Sequence, residues 1–318
     1  MVCVDAEQEI EDVYLLTRMS LNCTIVAVTS LLDKIYVITE NSDTVYVYFS
    51  HRPHRLKNAV HISEMNPADI ATSYADVCVY ILDSNHVCLW RIHRNLTTTK
   101  YPLDVRPGEG LRSMSITRKG VIVVVQTGNN IVMYNPRNGE TKHVPLEGVL
   151  EAGKCIVHAT EIGENRLLAC HDTQTFIITY DLKCATVCSR MDSGGNHIAL
   201  INSKCAVVAD KARRMMWMLD IDKCCLLTSE KSGIKNPSHV HYSRDSRLLF
   251  VTWLSYLGIY SQDKFGIKSH LAATETETRQ QQKSKSAYQQ LPDYTTETAD
   301  LQRSLNGMLY FCLLMFLV

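Results

Sequence analysis

Six short runs of aliphatic and β-branched residues recur at a near-constant interval, and each is followed by a polar break and a second such run. These observations predict an all-β chain, a six-bladed β-propeller with four-stranded blades. The runs cover residues 35–38, 78–82, 121–125, 167–170, 206–209 and 248–251. Their centres are Tyr36, Tyr80, Val123, Leu168, Val208 and Leu249, successively 44, 43, 45, 40 and 41 residues apart. An interval of roughly 40–50 residues is that of one blade per repeat. Helical repeats would instead need apolar positions every 3.6 residues or so, and the unbroken run at 121–125 fits a strand.

Within each unit the elements follow a fixed order. The second runs are residues 45–48, 87–90, 131–134, 176–180, 215–219 and 257–260. The breaks between paired runs carry turn formers such as Asn41-Ser42-Asp43, Asp83-Ser84-Asn85 and Gly128-Asn129-Asn130. These residues tolerate positive φ or bond their own backbone, as hairpin turns require. A weaker strand lies about ten residues ahead of each centre, for example at 25–29 and 198–201. A single such unit cannot bury both faces of its sheet, whereas radial stacking can. The sixth unit has clear strand signals only to Tyr260, and Val13-Tyr14-Leu15-Leu16 matches no other slot. The N-terminal segment is therefore expected to supply the outer strand of the last blade and close the ring, with Phe265-Gly266-Ile267 as the alternative donor. The propeller so defined spans residues 13–262.

Charge and cysteine usage narrow the setting. Lys plus Arg and Asp plus Glu both number 33, so no global field draws the chain to nucleic acid or an anionic membrane. Residues 1–12 hold Asp5, Glu7, Glu9, Glu11 and Asp12 with no Lys or Arg, and read as a solvated acidic segment. They show neither the basic nor the apolar part of a secretory signal, which makes a cytoplasmic location the expectation. None of the 12 cysteines forms a C-x-x-C pair. Cys78, Cys88, Cys155, Cys170, Cys205 and Cys225 lie in or beside apolar runs, so reduced thiols acting as small hydrophobes are expected.

The segment 237–252, PSHVHYSRDSRLLFVT, resembles a blade opening of the NHL-type or WD40-like propellers, in which a proline leads the inner strand and a polar turn precedes the next strand. Residues 164–169 are a second partial match. The resemblance covers roughly residues 13–262, lacks the Gly-His and Trp-Asp signatures of WD40 units, and implies architecture without transferring any functional residue. The chain is also similar to the propellers that end tripartite-motif proteins, without their RING and B-box cysteine/histidine pattern.

Beyond the repeats, residues 263–306 turn polar, with Thr-Glu-Thr-Glu-Thr and Gln280-Gln281-Gln282, and are expected to be a disordered tail. Residues 307–318 are wholly apolar. Twelve residues reach only about 18 Å as a helix against a hydrocarbon core of about 30 Å, so they cannot span it. Membrane contact through 307–318 is the less favoured reading of this segment.

Candidate chemistry is sparse. His158, His197, His239 and His241 all fall eight to eleven residues before their blade centres, on or near inner strands of three successive blades. Imidazoles converging on a central channel could hold a divalent metal. Blade packing is the plainer account, because period counting puts Val26, Ile70 and Ser113 at the matching places in the first three units. A basic loop with His51, Arg52, His54, Arg55 and Lys57, and the pair Arg213 and Arg214, could meet RNA phosphates or an acidic peptide. No phosphate loop, nucleophile elbow or H-E-x-x-H occurs, so no catalytic residue, cofactor or small-molecule substrate is implied. The expected function is a non-enzymatic protein–protein interaction scaffold using one propeller face to bind a protein or peptide. The alternatives are a hydrolase or lactonase with a channel metal, and an RNA-binding module of the NHL kind.

Overall fold

In the computed structural model the described residues are 15–261, except 51–53, 106–108, 129, 145, 147–153, 182–184, 192–193 and 231–235. The expectations for residues 1–12, for 263–318 and for the alternative strand at 265–267 lie outside them. Twenty-four strands form six four-stranded antiparallel sheets. Blade 1 contains β2 (Ile25–Leu31), β3 (Lys34–Thr39), β4 (Thr44–Phe49) and β5 (Leu56–His61). Blade 2 contains β6 (Pro67–Ser73), β7 (Cys78–Asp83), β8 (Cys88–Ile92) and β9 (Thr98–Pro102). In blade 3 are β10 (Leu111–Ile116), β11 (Ile122–Gln126), β12 (Ile131–Asn135) and β13 (Glu140–Val144). Blade 4 holds β14 (His158–Gly163), β15 (Arg166–Cys170), β16 (Thr175–Tyr180) and β17 (Ala185–Met191). Blade 5 follows with β18 (His197–Leu200), β19 (Cys205–Asp210), β20 (Met215–Asp220) and β21 (Cys225–Glu230). Blade 6 joins β22 (His239–Ser243), β23 (Leu248–Trp253) and β24 (Tyr256–Ser261) to β1 (Leu15–Ser20).

The second strand of each blade explains the unbroken apolar runs. Side chains alternate between the two faces of a strand, and here both faces are covered by neighbouring blades. In β7, Val79 and Ile81 pack toward blade 1, while Cys78, Tyr80 and Leu82 pack toward blade 3. In β11, Ile122 and Val124 face blade 2, and Val123 and Val125 face blade 4. The core is thus a series of interfaces between blades. Outer strands have only one neighbour and show it: β9 is exposed along nearly its whole length, and β13 carries Glu140, Lys142 and His143. Such charges blunt an open sheet edge.

Ring closure is made by the N-terminal strand. β1 pairs antiparallel with β24, from Leu15 opposite Tyr260 to Ser20 opposite Tyr256. Met19 enters the interface between blades 6 and 1 with Ile25, Val37, Phe250 and Ile259. Gly258 in β24 has a packing reason, since a Cβ there would stand 2.7 Å from the rings of Trp253 and Tyr260. Among the described residues, no helix is long and apolar enough to cross a membrane.

Two turns between second and third strands share a device the repeat search did not register. Asp83, fully buried at the end of β7, accepts hydrogen bonds from Trp90 Nε1 (3.0 Å), His86 Nδ1 (2.8 Å) and the Asn66 and Asn85 amides. Asp210 repeats it in blade 5, with Trp217 Nε1 at 3.0 Å and Arg213 at 2.9 Å. Burial opposes ionisation of Asp83, but these donors hold its carboxyl below the usual range. The blade 2 turn also differs from expectation in its strain. Positive φ falls on the β-branched Val87 (48°), where such residues are rare, and the anchored carboxylate holds the turn in place.

Two outcomes follow from this architecture. Deleting residues 1–20 removes the β1 ladder and the buried Met19 side chain, a loss of about 3 kcal/mol or more, so the melting temperature should fall by roughly 6–12 °C. An unchanged melting temperature would mean that β1 does not close the ring. Asp83→Ala should cost about 3 kcal/mol in urea unfolding, because it leaves the Trp90 indole and two backbone amides unpaired.

Candidate functional site in the central channel

The innermost strands β2, β6, β10, β14, β18 and β22 line the channel, and each has a sheet partner on one side only. Their inner backbone edges are served by polar side chains of the adjoining blade. Thr72 donates to the Ser30 carbonyl (2.9 Å), Ser113 to Val157 (2.7 Å) and Ser115 to Ala159 (2.8 Å). Buried backbone groups need partners, which accounts for hydroxyls where an apolar lining might be expected.

Three of the four candidate histidines meet. His158, His197 and His239 each begin an inner strand, and their rings lie in series tilted against one another, with centroids 3.9 Å apart for His158 and His197 and 3.7 Å for His197 and His239. Across the channel stands Asp69 of β6, which the sequence reading did not single out. Its carboxylate lies 3.2 Å from His239 Nε2 and 3.7 Å from His197 Nε2. Asp69 is itself held by two backbone amides, Ile70 donating to Oδ1 (2.8 Å) and Met114 to Oδ2 (2.7 Å). The imidazoles are not aligned in this way: none of the six ring nitrogens of His158, His197 and His239 makes a hydrogen bond of good geometry, although all are buried.

Period counting placed Ile70 where the structure places Asp69. Asp69 stands eleven residues before Tyr80, the same offset by which His197 precedes Val208, whereas a count fixed at ten residues reads the neighbouring Ile70, on the opposite face of the strand. The legible signal was a lone carboxylate within an otherwise uncharged inner strand.

His241 takes a separate role. Its Nε2 accepts the Ser30 amide (3.2 Å) and lies 3.0 Å from Ser30 Oγ, so it joins blade 6 to blade 1. Burial pulls its pKa down to about 3, helped by His239, His197 and Arg244, and pulls His197 down to about 4. His158 is also lowered by burial and by His197. For Asp69 burial works against ionisation, but His197 and His239 hold the carboxyl below its ordinary range. The free channel volume around these groups is about 130 Å³, and Tyr74, Arg118 and Arg244 line its outer part.

The basic candidates do not converge on this site. His51 and Arg52 lie outside the described residues. His54 Nδ1 is 3.0 Å from the Phe49 carbonyl, and Lys57 sits 4.4 Å over the Phe49 ring and 3.9 Å from Asp33, with Arg55 exposed beside them. Arg213 is tied to Asp210, and Arg214 is exposed on the same turn. The described cysteines are free thiols; burial pushes Cys88 up to about 11 and Cys205 up to about 12, which leaves them unreactive.

A larger recess opens elsewhere, between blades 3 and 4 on the face that carries the turn following each inner strand. It has a volume of about 540 Å³. Val121, Met133, Ile162, Tyr180 and Leu200 form an apolar floor, with Lys119, Lys142, Glu140, Glu161 and Glu164 around it. The Tyr180 hydroxyl donates to Met133 Sδ (3.1 Å), and Lys142 lies 4.9 Å over the Tyr180 ring. Burial pushes Glu161 up, and Lys119 counters it.

No protein-family model and no curated protein sequence matches the chain. Solved structures share its fold. The WD40 β-propeller domain of Doa1 superposes with a TM-score of 0.57 at 10% identity, covering 79% of this chain and 97% of that one. The β-propeller domain of Cps50 (Swd1) from Myceliophteria thermophila gives 0.54 at 10%, covering 78% and 98%. Virginiamycin B lyase from Staphylococcus aureus gives 0.56 at 14%, covering 78% and 90%. The class is therefore defined as an all-β six-bladed propeller, similar to a WD40 propeller domain and to a lyase alike. At these identities the likeness is one of fold.

The buried imidazoles set an acid limit on stability. An unfolded histidine titrates near 6.5, above the folded values of about 4 for His197 and about 3 for His241. Between these values the unfolded chain binds more protons, so stability is complete above about pH 6.5 and falls as pH drops toward 4. The groups facing them are Asp69, His158, His239 and Arg244. In chelator-treated protein the urea midpoint should be flat from about pH 7 to 8 and decline below about 6.5. A midpoint that held constant down to pH 4.5 would contradict neutral, buried His197 and His241.

Proposed function

We propose that this protein is a non-enzymatic, cytoplasmic interaction scaffold that binds a peptide segment of a protein partner on one propeller face. The observation that carries this reading is the recess between blades 3 and 4. Its volume of about 540 Å³ lies in the range of ligand pockets, about 300–1,000 Å³. An apolar floor ringed by fixed charges suits one anchoring side chain with polar contacts around it. The channel supports an enzyme less well: about 130 Å³ is room for roughly four waters and too small for an ordinary substrate. RNA binding is the weaker alternative because the rim mixes both signs, with Lys119 and Lys142 beside Glu140, Glu161 and Glu164.

A photo-reactive residue placed at Ser203, on the rim, tests the reading in cells. A discrete protein adduct is expected, and reversing the rim charges with Lys142→Glu and Glu164→Arg should reduce it at least about fivefold. Arg214→Glu, outside the recess, should leave it unchanged. No adduct, or one that is indifferent to rim reversal, would remove the recess as the binding site.

A further inference from the structure

The channel cluster carries an inference independent of the binding face. We propose that Asp69, His197 and His239 form a binding site for a divalent first-row transition metal, held at the inner-strand ends of blades 2, 5 and 6. Their ligand atoms all lie within 4.8 Å of one another, and all three residues are buried. Ligands about 2.0–2.1 Å from a tetrahedral ion sit about 3.3 Å apart, close to the 3.2 Å between Asp69 Oδ1 and His239 Nε2, while His197 Nε2 is 3.7 Å from the other carboxylate oxygen, Oδ2. Two imidazoles and one carboxylate suit borderline ions such as Zn(II) or Fe(II).

Two further features fit a metal better than a packed core. Buried polar atoms without well-aligned partners are costly, yet none of the six ring nitrogens of three histidines makes a hydrogen bond of good geometry, and two of them approach only the Asp69 carboxylate. A cation among them would use lone pairs that the protein otherwise leaves idle. Asp69 is fixed by the Ile70 and Met114 amides, each oxygen keeping a lone pair for an ion, which is the outer support that metal-ligating carboxylates have. His158, its ring centroid 3.9 Å from that of His197, lies beside the cluster and outside its ligand set. Access runs along the channel past the Thr72, Ser115 and Thr160 hydroxyls.

The test uses the full chain, stripped with chelator and titrated with Zn(II) alone, then with Co(II) as a spectroscopic substitute. One tight equivalent is expected, with cobalt d–d bands and no thiolate charge-transfer absorption, since the 12 cysteines are the competing ligands. His197→Gln and His239→Gln should each weaken binding at least about 100-fold, while His241→Gln, which is not a ligand, should retain it. If the ligand substitutions unfold the chain, X-ray absorption on the wild-type zinc form decides. A first shell of nitrogen and oxygen at about 2.0–2.1 Å with imidazole scattering supports the site. Absence of a bound equivalent, a sulfur first shell, or full binding in folded His197→Gln or His239→Gln overturns it.

Discussion

The ring stands on the two-sided burial of each blade's second strand. Tyr36 and Ile38 of β3 pack against blade 2, while Ile35 and Val37 of the same strand pack against blade 6. No blade has a core of its own, so every blade's stability depends on both neighbours, and the ring cannot be left open without exposing one such face. β1 is the consequence: a strand from the far end of the chain completes blade 6 because a gap there would leave both an edge and an apolar surface in water.

The same arrangement creates the channel. Radial stacking brings six inner strands together with one unpaired edge each, and their backbone groups must find partners in a narrow space. Serine and threonine hydroxyls do this in blades 2 and 3, and His241 does it at the seam between blades 6 and 1. His158, His197, His239 and Asp69 stand apart. The carboxylate is held by two backbone amides, but the imidazoles facing it make no hydrogen bond of good geometry, and a low-dielectric site makes that imbalance expensive. The proposed ion would relate the two halves of the cluster.

Two features of the molecule thus call for different ligands. The recess between blades 3 and 4 is roomy, apolar at its floor and open to large molecules, whereas the channel is narrow, polar and charged. A metal in the channel would tie blades 2, 5 and 6 across the ring axis and so stabilise the propeller. The two assignments are independent, since no residue that holds the cluster also forms the recess floor.

The amino-acid sequence by itself determined the blade number, the strand order and the closing strand. Those depend on local apolar runs and their spacing, and a strand buried on both faces must be apolar throughout wherever it lies in the ring. It also placed His158, His197 and His239 on inner strands. What only the tertiary structure decided was their company. Asp69 reaches them because the side chain at that place in β6, one residue before the counted Ile70, is the one that turns to the channel, and a period count cannot tell which of two adjacent residues does so. His241 leaves the group because Ser30, over two hundred residues away in the chain, offers it a partner. The recess likewise joins residues of β12, β14, β16 and β18, whose meeting depends on how successive blades rotate about the axis. Spacing along the chain sets which strands form; which side chains share a site depends on register and on contacts between distant blades, and these exist only once the ring has closed.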